Sequence, residues 1–401
     1  MIGSPVHERT SALAETLNYR DWSGYYAVSS YEAHHEHEYN AIRNASALID
    51  ISPLFKYIVS GRDAVKLVDR VITRDAERLA VGQVYYTPWC DERGKVIDDG
   101  TVTRIDEQTF RWTAADPSLR WLTRNALGLD VRIEDVSERV AALALQGPTS
   151  GRLLNTVADA DIRPLKYFHM TSGAIDGVPV DISRTGYTGD LGYEIWMPAE
   201  RAIAVWDALM RGGRAFDIHP AGMLALDVAR VEAGLLLIDV DFNSSMKALI
   251  EAQKYSPFEM GLGRLVQFGP RPFVGRRALE EEQRRGPARR IVGLEIDWPA
   301  IERLYDGLGL PPQIAATASR SAVPVYRHSR QIGRATTTTW SPVLKKLIAL
   351  ATLDAPDIVQ GAEGTAVEFE MTVEATRHQV PARVVKTPFF NPKRKTQTPA
   401  F

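Results

Sequence analysis

Residues 183–198, SRTGYTGDLGYEIWMP, set three glycines three apart (Gly186, Gly189, Gly192) ahead of a lone carboxylate, Glu194, held between Tyr193 and Ile195. The alternation after Gly192 predicts a strand, and the glycines predict a turn with positive φ. Together they read as a β-hairpin with Tyr187, Tyr193, Ile195 and Trp196 on its arms. The spacing is neither G-x-G-x-x-G nor a Walker A loop, and no Lys-Ser/Thr pair follows, so phosphate cradling has little support. Glu194 is left unexplained by the turn. On a half-exposed strand its carboxylate alternates into water. On the other reading, its two oxygens receive two parallel N–H donors from a ligand such as a 2-aminopyrimidinone ring, with tyrosines packed on the ring face. A pterin has that edge.

On either side of this stretch, the strands around residues 140 and 180 flank a helix, and a further helix is expected from Ala199 to Met210. Toward the N-terminus, residues 31–49 read as one helix, DISPLFKYIVSG as a strand, and RDAVKLVDRVIT as an amphipathic helix with Ala64, Leu67, Val68 and Val71 on one face. VYYTPW, a turn at DERGK, and TVTRI read as a hairpin. Helices and strands interleave without a regular βαβ period, so the expected fold class is α+β rather than a doubly wound parallel sheet. Past residue 286, short strands and turns predict a β-rich C-terminal domain. Residues 297–320 carry no clear period and read as a surface excursion, and NPKRKTQTPAF reads as a frayed basic tail.

A chain of 401 residues exceeds one ordinary core, and at roughly 150 residues per domain two or three are expected. Forty-eight basic against 50 acidic side chains give a formal charge of -2, so no field for polyanions is implied and nucleic acid is not an expected partner. The single cysteine, Cys90, rules out a disulfide framework and a Cys-based zinc site. No long apolar run or signal-peptide pattern appears, so a cytoplasmic location without membrane attachment is expected.

The glycine stretch, as RTGYTGDLGYEI, resembles the signature of the glycine-cleavage T-protein family, the folate-dependent aminomethyltransferases. The resemblance extends through YTPWCDERGKVIDDGTVTR, LALQGPTSGRLL, LDVARVEAGLLL, SPFEMGLGRLVQF, FVGRRAL, RIVGLEI and SPVLKKLIALA, in the family's order across roughly residues 20–388. It implies three domains around a central opening that holds tetrahydrofolate, the last a β-barrel. The expected division is 1–50 with 140–240, 51–139 with 241–285, a barrel at 286–388, and a tail at 389–401.

The resemblance also implies roles. In KVIDDGTV, Asp98 and Asp99 are successive strand residues, so one of the two faces the opening. Related proteins use the second aspartate, which assigns catalysis to Asp99; solvated turn chemistry is the alternative for the pair. Glu194 and Tyr187 are assigned to the pterin. Arg230 on a predicted helix is either a surface residue or a contact to folate or a substrate carboxylate. Gln146 either fixes a loop beside the folate or serves structure alone. Of Tyr85 and Tyr86, one lines the folate and the other fills the core.

HHEHE (His34 to Glu38) invites a metal reading, yet a solvated helical face accounts for it better, and no metal is expected. Cys90 beside Trp89 has no base at recognisable spacing and reads as a small packed side chain. Two departures bear on the donor. DISPLFKY stands where lipoyl-dependent T-proteins carry a D-V-S-H-M-type segment, and Leu226 replaces an arginine usual four positions before Arg230. The expected function is therefore transfer of a methyl or methylene group from a small methylated donor to tetrahydrofolate. The alternatives are an aminomethyltransferase served by a lipoyl carrier protein, a non-catalytic folate-binding protein, and a subunit working with a flavoprotein, since the chain carries no dinucleotide fingerprint of its own.

Overall fold

The computed structural model describes residues 1–357 and 363–397. The apolar run VAALALQ becomes Val140–Gln146, an inner strand of a six-stranded sheet ordered Met170–Ile175, Val178–Ser183, Gly192–Pro198, Val140–Gln146, Ser46–Asp50, Ile218–Pro220. The pairs are antiparallel except the last, which is parallel. Period-two alternation then divides the Gly192–Pro198 strand. Tyr193, Ile195 and Met197 enter a core closed by Leu153, Leu154, Val205, Trp206 and Leu209 of two helices, Ser150–Val157 and Ala202–Gly212. Trp196, opposite Ala142, faces the other way, onto Leu226 and Ala229 of the helix Met223–Glu232.

The single helix expected over 31–49 is two elements. A helix at Glu36–Asn44 ends at Ala45, and Ser46–Asp50 turns into the sheet with both faces covered. A strand buried on both sides is a continuous apolar run, which periodicity cannot separate from a buried helix.

A second sheet is ordered Val84–Cys90, Val96–Asp106, Thr109–Ala114, Phe55–Ser60, Arg132–Asp135. Tyr57, Val59, Tyr85, Trp89, Val102, Phe110 and Trp112 fill its covered face beneath Leu67, Val68 and Val71 of the helix Ala64–Val71. Cross-strand register puts Tyr86 with Thr101, Thr103 with Arg111 and Lys56 with Thr113 on the opposite face. That face meets the first sheet, where Arg111 donates to Asp181 at 2.7 Å.

A six-stranded closed barrel follows, built from Arg289–Ile296, Lys346–Asp354, Arg330–Ser341, Val323–Arg327, Ala366–Val373 and Thr376–Val385. The expectation of a patternless excursion at 297–320 is corrected. Asp297 accepts from the Ala300 N–H at 3.2 Å and caps the helix Trp298–Gly307, whose Ile301 and Tyr305, four apart, enter the barrel core. Two buried anchors are too few to register as a period. After this helix, Ser319 exchanges backbone hydrogen bonds with Thr338 at 2.8 and 3.0 Å.

The tail is not frayed through its described part. Arg394 reaches Asp190 by two bonds of 2.6 and 2.8 Å, and Arg184 donates to the backbone carbonyls of Arg394 and Lys395. Asp190 is a buried carboxylate, and such a group needs cationic partners, which Arg43 at 3.5 Å supplies only in part. Residues 398–401 lie outside the described residues.

Candidate active site

The glycine stretch forms the connection 184–191 between the strands Val178–Ser183 and Gly192–Pro198. Of its glycines only Gly189 has positive φ, at 73°. Gly186 and Gly192 are there for a different reason. A Cβ on either would stand 2.1 or 2.2 Å from Oε1 of Gln146. Gln146 is fully buried; its Nε2 donates to the carbonyls of Thr185 and Tyr193, both at 3.3 Å, and its Oε1 accepts from Thr188 at 2.9 Å. It is a strut that pins the loop from below, the first of the two readings of Gln146. Gly192→Ala is accordingly expected to lower stability by about 1–3 kcal/mol, the range for overpacking a filled site. A thermal midpoint equal to the parent's would count against the strut.

Above this loop, Glu194 shares a strand face with Trp196. Its Oε2 accepts from Thr185 Oγ1 at 2.6 Å. Burial pushes its pKa up, opposed by the Thr185 hydroxyl and by the charge of Arg111. Tyr187, in the loop, donates to the Leu236 carbonyl, and burial holds its phenol far above the usual range. Tyr187 is also within electrostatic reach of Asp99 and Asp227, which puts groups of the second sheet and of helix Met223–Glu232 around one phenol.

The geometry separates the two aspartates. Asp98 is fully buried and accepts three backbone N–H groups, from Asp99 at 2.8 Å, Ala115 at 3.0 Å and Asp116 at 2.9 Å. Burial and the neighbouring Asp99 push its pKa up while those donors pull it down. Its oxygens hold the Asp99 N–H and the N–H groups of Ala115 and Asp116. Asp99 accepts the Tyr86 hydroxyl on Oδ2 at 2.5 Å. Burial raises its pKa to about 6, with the Tyr86 hydrogen bond opposing. A carboxyl poised near neutrality is suited to exchange a proton. Tyr86 stays protonated, its pKa raised well above normal by burial and by the Asp99 charge. Tyr85 belongs to the core instead, with the Arg74 guanidinium 3.4 Å over its ring.

Arg230 is not a surface residue. It is fully buried, ion-paired with Asp241, and bonded to Thr337 at 3.0 Å and the Leu235 carbonyl at 3.3 Å. Its work is to fasten the barrel strand Arg330–Ser341 to the helix Met223–Glu232. Beside Leu226, the guanidinium groups come from elsewhere: Arg20 at 3.0 Å and Arg320 at 2.7 and 2.9 Å bind the adjacent Asp227. Arg111 was missed in the sequence. The available signal was FRWTA, where a cation alternates with two core aromatics.

The histidine cluster is split rather than wholly solvated. His34 and His37 are exposed, whereas His35 is buried and Glu38 accepts N–H groups of Tyr31 at 2.6 Å and Gly222 at 2.7 Å. Among the described residues no group of three or more His, Cys, Asp or Glu could hold a metal ion. Cys90 is packed in a core, and burial raises its thiol pKa well above normal. None of the described helices is long and apolar enough to cross a membrane.

A sheet bearing a half-buried carboxylate, a second bearing an acid paired to a phenol, and a terminal barrel agree with the family comparisons. The GCVT N-terminal domain matches residues 5–269 and the Glycine cleavage T-protein C-terminal barrel domain matches 307–391; the chain belongs to the glycine-cleavage T-protein family. Among its relatives, the aminomethyltransferase of Bacillus cytotoxicus is 32% identical over 94% of each chain. The trimethylamine-oxide aldolase of Ruegeria pomeroyi is 34% identical over 97% of this chain, which spans 47% of that protein. In fold, the chain is similar to the glycine cleavage system aminomethyltransferase T of Bartonella henselae, with a TM-score of 0.81 at 23% identity, covering 97% of this chain and 98% of that one.

Proposed function

We propose that this enzyme moves a methyl or methylene group from a small methylated donor onto tetrahydrofolate. The observation that carries the reading is the pairing of Asp99 with Tyr86 on one sheet and the carboxylate of Glu194 on the other, two sheets that meet at Arg111 and Asp181. Glu194 suits a pterin because its oxygens have lone pairs left after the Thr185 bond, enough for two parallel N–H donors. Tetrahydrofolate, when bound, supplies the nitrogen that takes up the carbon. As the donor's carbon–heteroatom bond breaks and the heteroatom leaves with the bonding pair, Asp99, acceptor of the Tyr86 hydroxyl, would take the proton that leaves the folate nitrogen, and Tyr86 keeps the acid oriented; methylene transfer requires a donor that carries its own oxidising equivalent, such as an amine oxide.

A free small donor is supported by Leu226, by DISPLFKY, and by likeness to a protein named for action on trimethylamine oxide. The second reading, an aminomethyltransferase served by a lipoyl carrier, is supported by relatives of that name matching over 94% of both lengths. A purely folate-binding role has no use for Asp99 near neutral pKa.

Glu194→Gln tests the ligand. It keeps shape and the Thr185 contact but replaces one acceptor oxygen with a donor, so tetrahydrofolate binding is expected to weaken by about 1.5–3 kcal/mol, the range for hydrogen bonds to a charged group. Unchanged affinity in a calorimetric titration removes Glu194 from the site.

A further inference from the structure

We infer that Arg111 completes the site beside Glu194 by giving its free guanidinium edge to a ring carbonyl, and so reads the 4-oxo group of a pteridine. The inference rests on the tetrahydrofolate reading and extends it to a residue that decides which ring is accepted.

Arg111 alternates with Phe110 and Trp112, which enter the core of the second sheet, so its own side chain crosses to the first. There Nη1 donates to Asp181 at 2.7 Å, and the guanidinium carbon lies 4.6 Å from the Trp196 ring centroid. Nε and Nη2 are buried and have no partner among the described residues. These two atoms form one edge of the guanidinium, with two N–H groups side by side. A buried donor left without a partner is costly, so this edge calls for an acceptor that none of the described residues provides.

Charge narrows the acceptor. Asp181 and Glu194 both act on Arg111 as anions. One cation between two carboxylates disfavours a third anion, while a neutral carbonyl oxygen is not repelled and can accept both N–H groups. Position narrows it further. Trp196 is two residues beyond Glu194 on the same strand face, so the free edge adjoins whatever Glu194 holds. A 2-amino-4-oxo pyrimidine ring presents donor, donor, acceptor along successive positions. Glu194 takes the two donors and Arg111 the acceptor. A 2,4-diamino ring puts a donor where Arg111 also donates.

The test compares 5-formyltetrahydrofolate, which carries the 4-oxo group, with methotrexate, which carries a 4-amino group, by titration against parent, Arg111→Leu and Arg111→Lys. The parent is expected to prefer the 4-oxo ligand by about tenfold or more, and Arg111→Leu to lose about tenfold on that ligand with little change for methotrexate. Arg111→Lys retains a charge for Asp181 but has no second edge, so it should fold with a near-parental thermal midpoint and still lose the preference. Preference retained in either folded variant, or equal weakening of both ligands, overturns the assignment. A parent protein that binds neither ligand overturns the tetrahydrofolate reading itself, and the Arg111 assignment falls with it.

Discussion

Asp99→Asn is expected to lower turnover by about 10²-fold or more while tetrahydrofolate affinity stays within a few-fold. Asparagine keeps the volume and still accepts the Tyr86 hydroxyl, so only proton exchange is lost. The pH profile provides a second readout. Tyr86 donates to Asp99, so the working form is the carboxylate, and activity should fall as pH drops through about 6. Stability moves the other way. The folded pKa of Asp99 lies above its unfolded value, so the folded state binds more protons between roughly pH 4 and 6 and stability declines as pH rises across that interval. Asp99→Asn should flatten both limbs. Asp98→Asn should behave differently, because it leaves backbone N–H groups of the 114–116 turn badly paired. Its expected effect is on the unfolding midpoint, and a 10²-fold rate loss in a fully stable Asp98→Asn protein would mean that the roles of the two acids are exchanged.

Glu232→Ala is expected to destabilise the protein by about 3–5 kcal/mol, the range for stripping one partner from a buried ion pair. Glu232 is fully buried and accepts from Tyr39 at 2.6 Å, from Arg43 at 2.6 and 2.8 Å, and from Ser341 at 2.6 Å. It therefore ties the helix Glu36–Asn44, the helix Met223–Glu232 and the barrel strand Arg330–Ser341 at one point. Without it, Arg43 keeps a carboxylate only at 3.5 Å, in Asp190. Urea denaturation followed by intrinsic fluorescence measures the loss. A change below about 1 kcal/mol would show that the barrel is held mainly by apolar contact instead.

The features legible in the sequence were those written as local pattern. The helix Ala64–Val71 showed its face through four apolar residues, the barrel showed itself through short alternating strands, and the Gly192–Pro198 strand through alternation about Glu194. What escaped depended on distant partners. Ser46–Asp50 is a strand only because Val140–Gln146 and Ile218–Pro220 lie on either side of it. Gly186 and Gly192 are small because a glutamine about forty residues earlier in the chain fills their space, and spacing within the turn carries no trace of that. Arg230 and Arg394 look like solvated cations until the carboxylates Asp241 and Asp190 are found against them. In the proposed site, Asp99, Tyr187 and Glu194 are candidates through resemblance, and the structure takes Tyr85 into the core and pairs Tyr86 with Asp99. Arg111 is not, because its proposed role lies in two N–H groups that no atom of the described residues meets.

The most direct test of the account is to incubate the pure protein with tetrahydrofolate and a panel of methylated amines, amine oxides, sulfonium compounds and aryl ethers, with no carrier protein present, and to read the folate by mass spectrometry. The account predicts a methyl or methylene adduct of tetrahydrofolate from at least one free donor, abolished by Asp99→Asn. No adduct from any free donor, with robust adduct formation from an aminomethyl-loaded lipoyl protein, would contradict it.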